Sequence, residues 1–396
     1  MDVYQDSLRL HKKLRGKLTV ESKLKLRSKR DLSLAYTPGV AQPCLEIQKD
    51  PLKLYDYTIK GNCVAVISDG SAVLGLGNIG AKAALPVMEG KALLFKEFAN
   101  IDAFPICIET QDVNELVKTI KYIAPVFGGI NLEDISAPRC FEVEAQLQGL
   151  GIPVMHDDQH GTSTVVYAGL INALKVVKKD MANLKVVISG AGAAGLDIAK
   201  VLLNVGQTTA VYPPVKEVIL CDSKGALHRN RTDLNPYKQA ALDYTNNLSN
   251  AKTLEEALVD ADVFIGVSVA NLLNRKHVAS MAKKAIVFAM ANPTPEIMPD
   301  EAKKGGAAIV ASGRSDFPNQ VNNVLAFPGL FRGALDSHVT KVTMEMREAA
   351  AIALAGCVKK PLASRIVPYS LEKGVAQVVA KAVVKAAKQH NVPVWG

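Results

Sequence analysis

The sequence predicts an α/β protein: a Rossmann-like, doubly wound parallel sheet domain, a smaller α/β N-terminal domain, and a helical C-terminal tail packing back on the latter. Three observations predict it. From about Leu184 onward, short β-branched runs alternate with helical runs, the pattern of a parallel sheet covered on both faces. One of those runs ends in a glycine turn, Gly190 to Gly195, that opens a helical stretch. The chain also has 396 residues, more than one ordinary core organises. The patterns divide it into residues 1–157, residues 158–320 as the Rossmann domain, and a C-terminal segment, about 321–396, that joins the first part.

The elements follow in order. Between Arg9 and Arg30 there are ten Lys and Arg and one acid, Glu21, a surplus equal to the net charge of the whole chain, +9. The body of the protein is therefore neutral. This stretch reads first as a solvated helix or arm packing on a partner subunit. An anion-attracting rim of a site, an RNA-binding arm and a targeting sequence are the other readings. No aromatic platform interleaves the charges and Asp2 and Asp6 precede them, so neither nucleic acid nor targeting is expected. CVAVIS, AFPICIE and GIPVM read as strands, with a helical pattern from Ile79 to Phe98. LKVVISG, VKEVILCD, VFIGVS, AIVFAMANP and AAIVASG read as the strands of the second domain. In the tail, EKGVAQVVAKAVVKAAKQ has the one-sided apolar face of an amphipathic helix.

Composition excludes several classes. No apolar run approaches the length of a membrane span, and the N-terminus has no apolar core of a secretory signal. The six cysteines are scattered without a CxxC pair, which removes zinc ribbons and dithiol chemistry and fits a reducing, cytoplasmic setting.

GxGxxG occurs twice, as Gly75-Leu-Gly77-Asn-Ile-Gly80 and as Gly190-Ala-Gly192-Ala-Ala-Gly195. Dinucleotide binding needs a strand, a tight turn exposing helix N-terminal amides to the pyrophosphate, and a second strand ending in an acid for the ribose. The second motif meets each demand, with Asp222 ending VKEVILCD. Gly190, Gly192, Ala193, Ala194, Gly195 and Asp222 are thus the cofactor candidates. The first motif enters through SDGSAVL, and Pro86 interrupts the helix after it, so it reads as a close-packing turn near the substrate. A carboxylate at Asp222 repels the extra phosphate of NADP and favours NAD, while Lys224, Arg229 and Arg231 just beyond could offset that repulsion.

Glu133-Asp134 and Asp157-Asp158 each end an apolar run, at the edge where α/β proteins bind ligands. Oxygen donors without cysteine suit Mg²⁺ or Mn²⁺. His156 and His160 have the spacing of a zinc-protease helix, but GIPVM before them makes a strand-to-helix turn, so zinc is not expected.

YTPGVA (Tyr36 to Ala41), SDGSAVLGLGNIG, MEGKALLFK, NLEDISAP, HDDQHGT, the Gly190 loop, ANPTPE and NNVLAFPG together resemble the short, bacterial-type malic enzymes, in order from about residue 30 to 335. The resemblance implies oxidative decarboxylation of malate to pyruvate and CO₂ with reduction of NAD(P)⁺. It implies Lys91 as the base, with a pKa depressed by burial or a nearby cation, and Tyr36 as the acid that protonates the enolate. Glu133, Asp134 and Asp158 become the metal ligands, and Asp157 a residue orienting Lys91. Asn292, Asn322 and Asn323 become substrate asparagines, Asn292 also near the nicotinamide ribose. A homodimer is implied, with Tyr36 reaching the partner's site.

One position departs from the family. Ala72 stands where the longer animal and plant enzymes have an arginine that clamps a substrate carboxylate, leaving Arg314 and Arg332 as candidate replacements. Two other readings compete: a metal-independent NAD(P)-dependent amino-acid dehydrogenase, and a non-catalytic dinucleotide- or RNA-binding protein using the basic arm.

Overall fold

The computed structural model describes residues 3–207 and 209–395. Strands β1 (Cys63–Ser68), β2 (Asp102–Cys107), β3 (Gly129–Leu132) and β4 (Val154–His156) form one parallel sheet in the order β2-β1-β3-β4. Every residue of β1, β3 and β4 is buried, which is why these strands read as continuous apolar runs rather than alternating ones. A helix, Gly80–Ala99, crosses from the end of β1 to β2 and runs through Pro86 unbroken. The expected interruption is thus corrected. Buried Ala84, Met88, Ala92 and Phe95 anchor the helix on both sides of the proline, and tertiary packing outweighs one lost backbone bond.

The second sheet contains β5 (Lys185–Ser189), β6 (Glu217–Asp222), β7 (Gly225–Ala226), β8 (Val263–Gly266), β9 (Ile286–Ala289) and β10 (Ile309–Ser312). Its order is β10-β9-β8-β5-β6-β7, parallel except for the short β7. The chain winds one way from β5 to β6 and the other way to β8. A crevice opens where the winding reverses, outside the carboxyl ends of β5 and β8. The predicted doubly wound α/β class is what the chain adopts.

Helix Asp157–Val177, buried along most of its length, leads from β4 toward the second sheet. Three helices of the tail, Phe327–Asp336, Met344–Cys357 and Val375–Gln389, close around it and around the Gly80 helix. Phe95 meets Phe327 and Phe331 edge-on at 4.7 and 5.4 Å. Asn172 donates to the carbonyls of Ala355 and Ile366, both at 2.9 Å. One apolar core therefore holds Val64 and Phe95 of the first sheet layer, Ile188 of the second, and Val379 of the tail. The two sheets are fixed to each other by shared burial.

The N-terminal segment is built differently. Helices Val3–Leu14, Lys29–Ala35 and Ala41–Lys49 lie on the outside, and no described residue before Lys60 is buried. It is tied to the tail where Tyr55 stacks on Trp395 at 3.4 Å, and Trp395 in turn on His338 at 4.4 Å. No helix among the described residues is long and apolar enough to cross a membrane.

Candidate active site

Strands β3 and β4 pair in register Leu132 to His156, so the residues just past their ends emerge side by side. This brings Glu133, Asp134 and Asp158 together, with ligand oxygens all within 4.8 Å of one another. The local structure fixes each carboxylate. Asn131 donates to Glu133 Oε2 at 2.8 Å, and the backbone N–H of Asp134 donates to Asp158 Oδ2 at 2.8 Å. His156 Nε2 lies 3.2 Å from the same Asp158 oxygen. Lys91, on the Gly80 helix, is buried with Nζ 2.7 Å from Asp157 Oδ2 and 2.8 Å from Glu133 Oε1. The Phe327 ring lies under it at 4.4 Å.

Crowding acids in a buried place shifts their titration. Burial, reinforced by neighbouring carboxylates, holds Glu133 well above its ordinary range and pushes Asp134 up to about 8. Burial also raises Asp157, against the pull of Lys91. Asp158 goes down instead, because hydrogen bonding and charge from His156 outweigh its burial. Burial would depress Lys91 too, but Asp157 and Glu133 outweigh it and hold the ammonium above its usual value. Without a cation in the cluster, the two carboxylate neighbours of Lys91 thus outweigh its desolvation. A divalent cation suits the cluster on two grounds. The donors are hard oxygens, and Asp134 Oδ2 is buried without a hydrogen-bond partner.

Lys91, Glu133, Asp134 and Asp158 line a cleft of about 770 Å³ together with Ala72, Asn292, Asn322 and Asn323. Asn322 Oδ1 accepts from the Val324 N–H at 3.0 Å, which fixes its amide plane. Asp157 is fully buried behind Lys91. Tyr36 is not in this cleft; it is 65% exposed on the N-terminal segment. Neither candidate arginine reaches it: Arg314 pairs with Asp316 at 2.6 Å and Arg332 with Asp336 at 2.7 Å.

A second hollow, of about 570 Å³, runs from Gly190–Gly192 to Asp222 and shares Ser268 with the first. Gly192 precedes helix Ala193–Leu202, whose N-terminus has no side-chain cap, so its amides are free for an anion such as a pyrophosphate. A Cβ on Gly195 would sit 1.9 Å from the Gly190 carbonyl oxygen, so the turn needs glycine there. Ala194, on the first turn of that helix, lines the larger cleft. Asp222 takes a forked pair from Arg231 at 2.8 and 3.0 Å and a third bond from Lys238 at 2.6 Å. Burial opposes these cations, which still bring the carboxyl down to about 2. The other two basic residues are engaged elsewhere, Lys224 with Asp233 at 2.8 Å and Arg229 with Asp243 at 3.2 Å.

Several residues that shape the site are invisible to motif reading. Glu296, fully buried, accepts from the backbone N–H groups of Ser268 and Ala291, both at 3.0 Å, clasping the loops after β8 and β9. Gly161 leaves room for Asp157, whose Oδ1 would lie 1.8 Å from a Cβ there. His160 joins a buried charge chain: Nε2 is 2.9 Å from Glu144 Oε1, Nδ1 is 3.1 Å from Asp197 Oδ2, and Arg347 pairs with Asp197 at 2.7 Å. Burial and Arg347 oppose its protonation, but the two carboxylates raise it to about 9. Its partners lie on three other segments, so spacing along the chain gave no sign of them. The final E of ANPTPE was the single visible hint of the clasp.

Known proteins match this arrangement along the whole chain. The family model for the malic enzyme N-terminal domain matches residues 15–148, and that for the malic enzyme NAD binding domain matches residues 159–388. A bifunctional malic/malolactic enzyme of Bacillus subtilis is 54% identical, covering 99% of this chain and 95% of its own length. An NAD-dependent malic enzyme of Geobacillus stearothermophilus is 51% identical, covering 96% and 80%. The crystal structure of the NAD-dependent malic enzyme from Thermotoga maritima superposes with a TM-score of 0.90 at 47% identity, covering 96% of this chain and 98% of that one. With the glycine loop, Glu133, Asp134 and the buried Lys91 all lying within the two matched domains, the chain belongs to the malic enzyme family.

Proposed function

We propose that this protein oxidises (S)-malate at C2, with reduction of NAD(P)⁺ and release of pyruvate and CO₂, and that it requires Mg²⁺ or Mn²⁺. The observation that carries this reading is the meeting of Glu133, Asp134, Asp158 and Lys91 in one cleft that continues into the glycine-loop hollow. The three carboxylates would hold a cation that would supply positive charge where the substrate becomes electron-rich, and a nicotinamide held in the glycine-loop hollow would supply the hydride acceptor. Lys91 takes the C2 hydroxyl proton. Its resting form is the ammonium, since two carboxylates hold it there. A cation held by Glu133 would compete for that carboxylate and would lower Lys91 toward the pKa a base needs. Asp157 keeps its own contact and fixes the direction of Nζ. Asn292, Asn322 and Asn323 orient the substrate by hydrogen bonding.

NAD is the preferred cofactor in this reading, because the Asp222 carboxylate stands at the ribose end of the hollow. A homodimer completes the site. Large apolar side chains such as Leu8, Leu14 and Leu34 are more than half exposed on an N-terminal segment with no buried residue among those described, and a second copy covers them. Tyr36 then protonates the enolate in the partner's cleft. Six free cysteines, including exposed Cys44, suit a reducing cytoplasm.

The test is malate-dependent pyruvate and NAD(P)H formation with each nicotinamide cofactor. Activity disappears with EDTA and returns with Mn²⁺. Full activity after chelation refutes the metal-dependent reading. For the dimer, mixed Tyr36→Phe and Lys91→Ala subunits regain activity that neither variant has alone.

A further inference from the structure

The proposed substrate has two carboxylates, and the cluster of acids accounts for one end only. The asparagines offer the other end neutral donors only, and a cation would bind it more strongly, because charge-assisted hydrogen bonds are the stronger ones. Ala72 supplies none, and Arg314 and Arg332 lie outside the cleft. Among the described residues, the basic groups lining it are Lys91, Lys17 and His11. Lys91 is already committed to Asp157 and Glu133. That leaves the basic arm.

The arm is held over the cleft by a defined turn. Helix Val3–Leu14 ends in two left-handed residues, Arg15 at φ 56° and Gly16 at φ 108°. Glu89, on the same helix as Lys91, accepts the backbone N–H of Lys17 at 3.1 Å. A Cβ on Gly16 would come within 3.2 Å of the Glu89 carboxylate, so the turn is tight as well as strained for other residues. Glu89 thereby grips the backbone and leaves the Lys17 side chain free to run along the Gly80 helix. Its Nζ donates to the Pro86 carbonyl, and would lie 3.5 Å from a Cβ on Gly90, the neighbour of Lys91. Among the described residues this ammonium makes no ion pair with any carboxylate. Burial lowers its pKa and the charge of Glu89, which grips the backbone of the same residue, offsets that only in part, so a substrate carboxylate would complete its counter-charge.

We infer that Lys17 is the specificity-determining cation of this chain: it binds the malate carboxylate remote from the metal cluster, in place of the missing arginine at position 72. The Pro86 carbonyl is its resting partner, exchanged for the substrate carboxylate. His11, on the preceding helix and also in the cleft wall, adds a second donor at the same mouth. The inference rests on the malate-oxidising reading above. It also gives the basic surplus of the N-terminal stretch a function as the rim that attracts a dianion.

Steady-state kinetics on the full-length enzyme with Mn²⁺ test it, with malate as substrate and oxalate as inhibitor. Oxalate mimics the end of the substrate that faces the acids and has no remote carboxylate. Lys17→Met raises KM for malate by about ten- to a hundredfold, the worth of one charged hydrogen bond, while oxalate inhibition changes less than about twofold. Lys17→Arg keeps the charge and limits the rise to a few-fold. Glu89→Gln, which loosens the turn, gives an intermediate rise. An unchanged KM in Lys17→Met overturns the inference, and so does equal weakening of malate and oxalate, which would mean that the arm only shapes the acid cluster. If the unmodified enzyme forms no pyruvate from malate, it is the underlying functional reading that falls, and this is seen before any variant is made.

Discussion

The two glycine motifs share one spacing and differ in what their backbone amides meet. At Gly75–Gly80 the turn is pressed against the other half of the molecule: a Cβ on Gly75 would lie 1.9 Å from the Asn292 carbonyl oxygen, and one on Gly70, just before it, 2.3 Å from Gly80. At Gly190–Gly195 the outer glycines are packed just as tightly, but Gly192 faces open space with no protein atom within 4 Å of a Cβ. Gly77 and Gly80 of the first turn face open space as well, but there the N–H groups of Ile79 and Gly80, where the helix starts, are taken by the Gly70 carbonyl at 3.1 and 3.0 Å. The second leaves a vacancy beside free helix amides, where an anion fits. Spacing therefore selects a tight turn, and whether the amides at the helix start are already taken by the protein decides whether that turn can hold an anion.

The contrast can be broken from either end. The largest effect comes from the chemistry beside the first motif. Lys91→Ala lowers kcat for malate oxidation by about 10²- to 10⁴-fold, while dinucleotide affinity, measured by fluorescence titration, stays within about twofold of the parent. Normal turnover by a folded Lys91→Ala protein removes the base assignment. Substitution of the glycines themselves comes next. Gly75→Ala drives a methyl into the Asn292 loop and destabilises the protein by about 1–3 kcal/mol, read from urea unfolding. Gly192→Ala leaves that midpoint unchanged and instead raises KM for the dinucleotide. Reversal of this pattern would show that the roles of the two turns have been exchanged.

A smaller effect sharpens the second end. Asp222→Ala frees Arg231 and Lys238, and the ratio of kcat/KM for NADP over NAD rises by about tenfold. No change in the ratio would mean that the ribose edge is read by other residues. The smallest effect is a control at the opposite edge of the first sheet. Lys60 donates to the carbonyls of Ala124, Pro125 and Phe127, and burial lowers it to about 8 from 10.5. The unfolded chain binds the extra proton between those values, so stability rises with pH through that window. Lys60 is only 6% exposed, and the gain is at most a few kcal/mol. Urea unfolding compared with Lys60→Met isolates it, since the variant lacks that portion of the slope while its turnover is unaltered.

Much of this was legible in the chain because it is carried by local pattern. β1 reads straight off CVAVIS, and the second sheet off runs whose burial on both faces makes them uniformly apolar. The acids at 133–134 and 157–158 were visible as strand ends, and register brought them together. What stayed hidden depends on contacts between distant segments. The apolar flank of Lys91 shows only its desolvation, whereas the two carboxylates at hydrogen-bond distance come from other segments and leave no local trace. Arg314 and Arg332 were nominated by nearness in sequence to Asn322, yet both pair with an acid two to four residues along their own segments. Pro86 misled for the opposite reason: a local rule was overridden by burial on either side.

The stacking of Tyr55 on Trp395 has a practical consequence. Trp395 is the only tryptophan of the chain, and it is held between a residue of the N-terminal segment and His338 of the tail. Its emission is therefore an unlabelled optical gauge of whether that segment is seated. Dilution, salt or a partner copy that moves the segment registers as a change in one indole, separable from anything that happens at the nicotinamide.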